Sequence, residues 1–396
     1  MARPNQLILV ANPGSSSRKY ALYECDDLRL RGELHFETDH DKIICTLSTN
    51  DGPRTIDSGV TTVNQASRQV IELFQRESVM SPDDTIAAIG LRIVAPSAYF
   101  MQDHLVTDEV VAKLEEIEHL APLHIAATLS ELHLLRQTFA DQPIVGVSDS
   151  AFHRTKPNYA WNYAINLRDA DTHDIKRFGY HGISVGAAID TLWNNGKLPP
   201  KVIVCHLGSG SSITGVFHGR SIDTTMGFTP NEGVVMATRS GSVSPDAARV
   251  LRDKLQLDDA GLENYLNSQS GLLGLGNSND IRELIEREAV GDHDAHLALT
   301  TLIHSYHKSI GAMLVALNGC DALVFTGTVG ERSSIIRKRI VAHLQFCDFI
   351  LDGEANDACT QPQTMTLISQ ETASKPLFVI PTSEARQIAE HVIAFI

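Results

Sequence analysis

Three stretches of this sequence place small residues where a strand-like run ends. The first is Asn12-Pro13-Gly14-Ser15-Ser16-Ser17, between the apolar run Leu7–Ala11 and a second strand-like run Lys19–Tyr23. The second is Gly208-Ser209-Gly210-Ser211-Ser212, between Val202–Leu207 and Ile213–Phe217. The third is Gly327-Thr328-Val329-Gly330-Glu331, which follows Phe325-Thr326 and leads into a helical pattern. Backbone N–H groups and hydroxyls converge on an anion only where no bulky side chain stands in front of them. An ordinary turn explains any one such loop. Three in one chain point to a nucleotide or another anion held in a common cleft.

The familiar alternatives are absent. There is no GxxxxGK[ST], no GxGxxG after a strand and no HExxH. Any nucleotide must therefore be held by other means. His293, His296, His304 and His307 include two pairs three residues apart, but nothing completes a ligand set, and Asp292 and Asp294 suit a solvated loop. The six cysteines lie far apart with no CxxC pair, which predicts free thiols in a reducing compartment.

The elements that must position these loops follow from length and pattern. A chain of 396 residues exceeds what one hydrophobic core serves, so two domains are expected. With 43% hydrophobic and 20% charged residues the composition is globular. Lys and Arg total 33 against 48 Asp and Glu, a net charge of −15 that opposes binding to nucleic acid or anionic lipid. An anionic small molecule would need local cations or a metal ion. Leu7–Ala11 is too short for a signal h-region, and no apolar run is long enough to span a bilayer, which predicts a cytoplasmic protein.

The strand–loop–strand pattern of the first loop recurs about 190 residues later, which predicts two related domains. Strands at 85–94, 143–147, 322–326 and 377–381 alternate with helices at 108–120, 125–139, 245–255, 280–288, 295–318, 333–346 and 383–393. Such alternation predicts α/β domains. The weakly periodic stretch His153–Tyr180 reads as the crossing between them.

Beyond pattern, specific segments resemble one family. Asn12–Lys19 resembles the first signature of the acetate and propionate kinases, and Asp223–Gly233 (DTTMGFTPNEG) their second. Ala121–His124, Asp149–His153, Gly179–Gly182, His206–Gly208, Thr238–Gly241 and Ser270–Gly274 match in family order, so the resemblance covers nearly the whole chain. It implies two RNase H-like domains of the acetate and sugar kinase, heat-shock chaperone and actin superfamily, assembled as a homodimer. The first domain would be residues 1–150 with the C-terminal helix 384–396, and the second 151–383. The implied reaction is reversible transfer of the γ-phosphoryl group of ATP to acetate or propionate, with Mg²⁺ or Mn²⁺.

The resemblance also implies roles residue by residue. Arg92 and Arg239 would bind carboxylate and phosphoryl oxygens, for which a planar, always-charged guanidinium is suited. His181 would donate to the transferring group, and Asp149 and Glu384, with Asn12, would hold the metal directly or through water. Ser15, Ser17 and Lys19 would orient phosphates. His206, Gly208 and Gly210 match the phosphate loop, Asp280, Ile281 and Arg282 the ribose and adenine contacts, and Gly327, Thr328, Val329 and Gly330 the adenosine turn. Val94, Leu123, Tyr180 and Pro230 would line a small acyl pocket.

The sequence departs from the family in several places. Where the family reads HRVVHGG, this chain has Leu91-Arg92-Ile93-Val94-Ala95-Pro96-Ser97, which keeps the Arg and replaces two flexible glycines with Pro96 and Ser97. Ser209 and Arg332 replace Asn, Thr328 replaces Gly, Ile183 and Val185 replace Thr and His, and Ser242 replaces Asp. A branched side chain at 328 narrows an adenosine slot, so a pyrophosphate-type donor is a second reading. A noncatalytic nucleotide-binding regulator is a third, since fold alone does not fix function.

Overall fold

Leu7, Leu9 and Ala11 join one buried core, while Ile8 and Val10, also fully buried, alternate with them and face the other way. A strand covered on both faces belongs inside a layered α/β unit. In the computed structural model, which describes residues 5–14, 17–39, 42–372 and 374–396 except the side chains of Asp39, Asn64 and Leu123, the chain forms two units. One comprises Met1–Ala151 with Ser383–Ile396, the other Phe152–Thr382.

The first unit contains β1 (Gln6–Pro13), β2 (Ser17–Glu24), β3 (Leu30–Asp39), β4 (Lys42–Thr49), β5 (Gly52–Ile56), β6 (Thr85–Ile93), β7 (His104–Leu105) and β8 (Ile144–Ser148). They make one sheet in the order β5-β4-β3-β2-β1-β6-β8-β7. The helices Ala66–Arg76 and Pro122–Thr138 cover the face of Leu7 and Leu9. The helix Glu384–Ile393 packs on β1 and β6. There Gly90 is needed for close approach, since a Cβ on it would stand 2.5 Å from Ile388 Cγ2.

The second unit contains β9 (Lys201–Leu207), β10 (Ser211–Phe217), β11 (Arg220–Thr224), β12 (Ala322–Thr326), β13 (Thr366–Leu367) and β14 (Leu377–Val379). Their order is β11-β10-β9-β12-β14-β13. Ile203, Cys205 and Leu207 pack with the long helix His293–Ala316, and Val202 and Val204 with the helix Gly182–Asn194.

The two sheets share a plan. In each, a central strand pairs antiparallel with the next strand in the chain, which pairs antiparallel with the one after: β1-β2-β3 and β9-β10-β11. On its other side the central strand pairs parallel with β6 then β8, or with β12 then β14, and a short antiparallel strand ends the row. The repeat read from the two Gly/Ser hairpins is thus a repeat of six strands, which β4 and β5 extend in the first sheet alone.

Two readings need correction. The stretch His153–Tyr180 lies inside the second unit, where it forms short helical turns. The helix expected at 333–346 starts where expected, with the Ser333 hydroxyl accepting from Ile336 N–H as its N-cap, but it ends early: it spans Ser334–Val341, Leu344 leaves helical backbone angles (φ −112°, ψ 5°), and a separate 3-10 turn follows at Gln345–Cys347. The six cysteines are free thiols, as expected.

Candidate active site

In parallel α/β sheets, side chains at the carboxyl ends of adjacent strands come together. In the first unit these ends belong to β1, β6 and β8. The register pairs Ala11 with Leu91 and Arg92 with Val147, and Asp149 N–H donates to Ile93 O, so Asn12, Arg92 and Asp149 follow one another across the sheet edge. Arg92 Nη2 donates to Asp149 Oδ2 at 2.8 Å, and Arg92 Nη1 lies 3.4 Å from Asn12 Oδ1. Asn12 Nδ2 donates to Glu384 Oε2 at 3.0 Å. Four expected site residues therefore form one chain of contacts, Glu384–Asn12–Arg92–Asp149.

The electrostatics favour a fixed cation beside two carboxylates. Burial works against the charge on Arg92, but Asp149 and then Glu384 outweigh it, so the guanidinium is held even more firmly protonated than usual. Asp149 is 1% exposed and Arg92 18%. Arg92 Nε is buried and has no hydrogen-bond partner among the described residues, a donor that a ligand carboxylate can satisfy. Asp149, Glu384 and Asn12 are hard oxygen donors of the kind Mg²⁺ takes when phosphates and water supply the remaining positions. Among the described residues no group of three or more His, Cys, Asp or Glu is preassembled for a metal.

Of the other expected residues in this unit, Lys19 is exposed on β2 opposite Asn12, and Ser17 begins that strand. Val94 is buried just past β6. Ser15 and the side chain of Leu123 lie outside the described residues.

In the second unit, His181 is the N-cap of the helix Gly182–Asn194 and adopts left-handed backbone angles, φ 61° and ψ 19°. Left-handed backbone in a non-glycine residue is uncommon and recurs at functional sites. Its Nδ1 lies 3.1 Å from Ser212 Oγ, and its ring stacks on His206 with centroids 4.1 Å apart. His206 Nδ1 lies 2.8 Å from Ser184 Oγ. The loop after β9 then closes on this pair. A Cβ built on Gly210 would stand 3.2 Å from His181 Nε2 and 3.5 Å from Arg239 Nη1. Gly210, His181 and Arg239 are thus brought together, and Arg239 Nη1 is steadied by Pro230 O at 3.2 Å. Tyr180 is fully buried, and its hydroxyl donates to Phe228 O at 2.6 Å.

Parallel register also joins the loops after β9 and β12, since Thr326 pairs with His206. A Cβ on Gly208 would lie 4.0 Å from Thr328 N. Gly327 has φ 79°, and a Cβ there would stand 2.7 Å from Leu207 O, so this turn admits only glycine. Thr328 is exposed, Val329 half-buried and Gly330 buried. Asp280 caps the helix Ile281–Ala289; its Oδ1 accepts from Arg282 N–H at 2.8 Å and its Oδ2 from Arg282 Nη2 at 2.6 Å. The hydrogen bond from Arg282 holds the Asp280 carboxyl below its ordinary range.

Several supporting residues escaped sequence reasoning. Ser212 stands opposite His206 across β9 and β10, and Ser184 is one turn after His181, so spacing could have suggested both. Glu331 and Thr382 could not have been paired from sequence. Glu331 Oε1 accepts from Thr382 N–H at 2.8 Å, and Thr382 Oγ1 accepts from Gly327 N–H at 2.7 Å, which ties the glycine turn to the end of the sheet. Arg337, fully buried, donates to Gly330 O and Glu331 O from beneath.

Two sheets of one plan, each with a small-residue hairpin at its central strand, define a protein of the RNase H-like class to which acetate and sugar kinases, heat-shock chaperones and actin belong. Residues 7–390 match the acetokinase family. The chain is 36% identical over 390 residues to an acetate kinase of Dichelobacter nodosus, with 97% of each chain covered. Its fold is similar to that of a propionate kinase from Francisella tularensis, with TM-score 0.87, 33% identity and coverage of 97% of this chain and 98% of that one. A similar fit is found with an acetate kinase of Porphyromonas gingivalis, at TM-score 0.86, 29% identity and coverage of 98% and 99%. The chain belongs to the acetokinase family and is a carboxylate kinase.

Proposed function

We propose that this chain transfers the γ-phosphoryl group of ATP reversibly to acetate or propionate, acting as a Mg²⁺-dependent cytoplasmic homodimer. The observation that carries this reading is the approach of Gly210 to His181 Nε2 and Arg239 Nη1. A backbone loop suited to phosphate meets a hydrogen-bond donor and a permanent cation, which is what a loose, in-line phosphoryl transfer requires.

In the proposed reaction a carboxylate oxygen attacks Pγ while the bond from Pγ to the β,γ-bridging oxygen breaks, giving an acyl phosphate and ADP. Arg92 would orient the attacking carboxylate, helped by its buried Nε. Arg239 and His181 would neutralise the equatorial oxygens as charge spreads over them. Asn12, Asp149 and Glu384 would hold Mg²⁺, which when bound neutralises phosphate charge. Ser17 and Lys19 in the first unit, and His206, Gly208 and Gly210 in the second, are assigned to phosphate. Asp280, Ile281, Arg282, Gly327, Thr328, Val329 and Gly330 are assigned to adenosine. For the acyl group we assign apolar contacts to Val94, Leu123, Tyr180 and Pro230. One methylene discriminates by only about 1–3 kcal/mol, so both acids are expected to react at different rates.

The test is acyl hydroxamate formation with ATP, Mg²⁺, hydroxylamine and either acid. Product should depend on the acid and vanish with excess EDTA, and pyrophosphate should not replace ATP. Arg239→Ala should lower kcat/KM by about 10³ or more with an unchanged circular dichroism spectrum. A near wild-type rate would remove Arg239 from the mechanism.

A further inference from the structure

The histidines that no metal set absorbed divide into two groups. His296 turns to Glu288, with Nδ1 2.9 Å from Oε1. His304 and His307, one turn apart on the helix His293–Ala316, instead line a cavity of about 610 Å³. Arg339, on the helix Ser334–Val341, and His343 just beyond it line the same cavity. Lys308 completes the basic lining, and Ile303 and Ala342 add apolar wall.

Three imidazoles, a lysine and an arginine line this cavity with no carboxylate among the lining residues, in a chain whose acids outnumber its bases 48 to 33. Arg339 is held by Glu288. Lys308 has no hydrogen-bond or ion-pair partner among the described residues. The His307 and His343 rings stack, with centroids 4.5 Å apart and planes 10° from parallel.

We propose that this cavity binds a small phosphate monoester carried on an apolar or planar body, at a site separate from the phosphoryl-transfer residues. The volume suits a small molecule. A metal does not suit the stacked pair, because ring nitrogens donate in the ring plane and two near-parallel planes 4.5 Å apart cannot both contain one ion at bonding distance. The stack offers a flat surface to a planar body, while Lys308 and the outer imidazoles offer donors to a dianion.

The same geometry links binding to protons. His307 Nε2 lies 3.0 Å from Ile340 O, an acceptor only, so Nε2 carries the proton of the neutral ring. Nδ1 becomes a donor only when the ring is charged. Burial, with His343 and His304 nearby, holds the His307 proton affinity below the ordinary value. The groups around it are His304 and Lys308 on its own helix, Arg339 and His343 from the facing segment, and Glu288 behind Arg339. A bound dianion favours the charged ring, so binding takes up a proton and tightens as pH falls.

Full-length protein with isotope-labelled histidine rings would be titrated by NMR with phenyl phosphate, inorganic phosphate and Zn²⁺. The His304, His307 and His343 resonances, assigned through single His→Gln variants, should shift saturably with phenyl phosphate. Binding should be about tenfold tighter near pH 6 than near pH 8, and weaker for inorganic phosphate. The H307Q/H343Q double variant should bind phenyl phosphate about tenfold more weakly near pH 6 while keeping full hydroxamate activity, which shows that it is folded. Absence of a saturable shift at these rings, equal binding by the double variant, or a response to Zn²⁺ alone would overturn the proposal.

Discussion

Gly210 decides whether a phosphate loop, a histidine and an arginine can share one small volume. An added methyl would stand 3.2 Å from His181 Nε2, so the imidazole must give by a few tenths of an ångström, and it would fill the space up to Arg239 Nη1 at 3.5 Å. Gly210→Ala is therefore expected to lower kcat/KM by about 10- to 100-fold with little change in melting temperature, measured by the hydroxamate assay and thermal unfolding. Lys156 poses a different question. It is buried, its ammonium donates to Arg177 O, and it lies 5.5 Å from the centre of the Trp161 ring. Burial pushes its pKa down to about 8. An unfolded lysine titrates near 10.4, so between about pH 8 and 10.4 the unfolded chain binds more protons and stability rises with pH. Relative to Lys156→Met, the wild type should gain on the order of 1–3 kcal/mol over that window in urea unfolding; a pH-independent difference would refute this. At this scale the motif residues were legible, because Arg92, Asp149, His181 and Arg239 sit in recognisable segments. The hydroxyls that hold the histidine pair, Ser212 on His181 and Ser184 on His206, were visible only as spacing, and the buried Lys156 carried no motif at all.

The elements account for how the motif residues meet. Parallel register carries Asn12, Arg92 and Asp149 to adjacent strand ends, and likewise Gly208 and Thr328. The central strands were legible because both faces are buried and the runs are continuously apolar. Strands β3 to β5 were not, since their half-exposed, polar sequence lacks that signal. The helix Gly182–Asn194 escaped too, being so buried that no polar face marks its period. Arg337 governs the glycine turn. Its guanidinium donates to the carbonyls of Gly330, Glu331, Asn356 and Cys359, and to Asn356 Oδ1, with no carboxylate among these acceptors. Arg337→Met leaves four carbonyls without their donor, so it should cost about 3–5 kcal/mol in urea unfolding and raise the KM for ATP more than that for acetate. An equal rise in both would detach the turn from the nucleotide.

Across the whole molecule one plan of sheet is used twice, and the Gly/Ser hairpins announced it in the sequence. What the sequence did not announce is how differently the two copies support a site. The first assembles two carboxylates and an arginine at its strand ends, whereas the second assembles a histidine pair and an arginine around a glycine loop. Pattern recognises a repeated scaffold more readily than the divergence of what it carries. No helix among the described residues is long and apolar enough to cross a membrane.

The first unit is discontinuous, since Ser383–Ile396 returns to it after the second unit has been traced. During synthesis, therefore, the order of completion is the reverse of the order of appearance. The second unit has all its residues once Thr382 is made, while β1 and β6 still await Ile388 and Val392, and Asn12 awaits Glu384. Chains that stop at Thr382 and are carried beyond the exit tunnel on an unstructured linker should show a protease-resistant second unit and a cleavable first one. Adding residues 383–396 before the linker should protect the first unit and switch on hydroxamate formation in one step, so activity waits on the segment that closes the first unit.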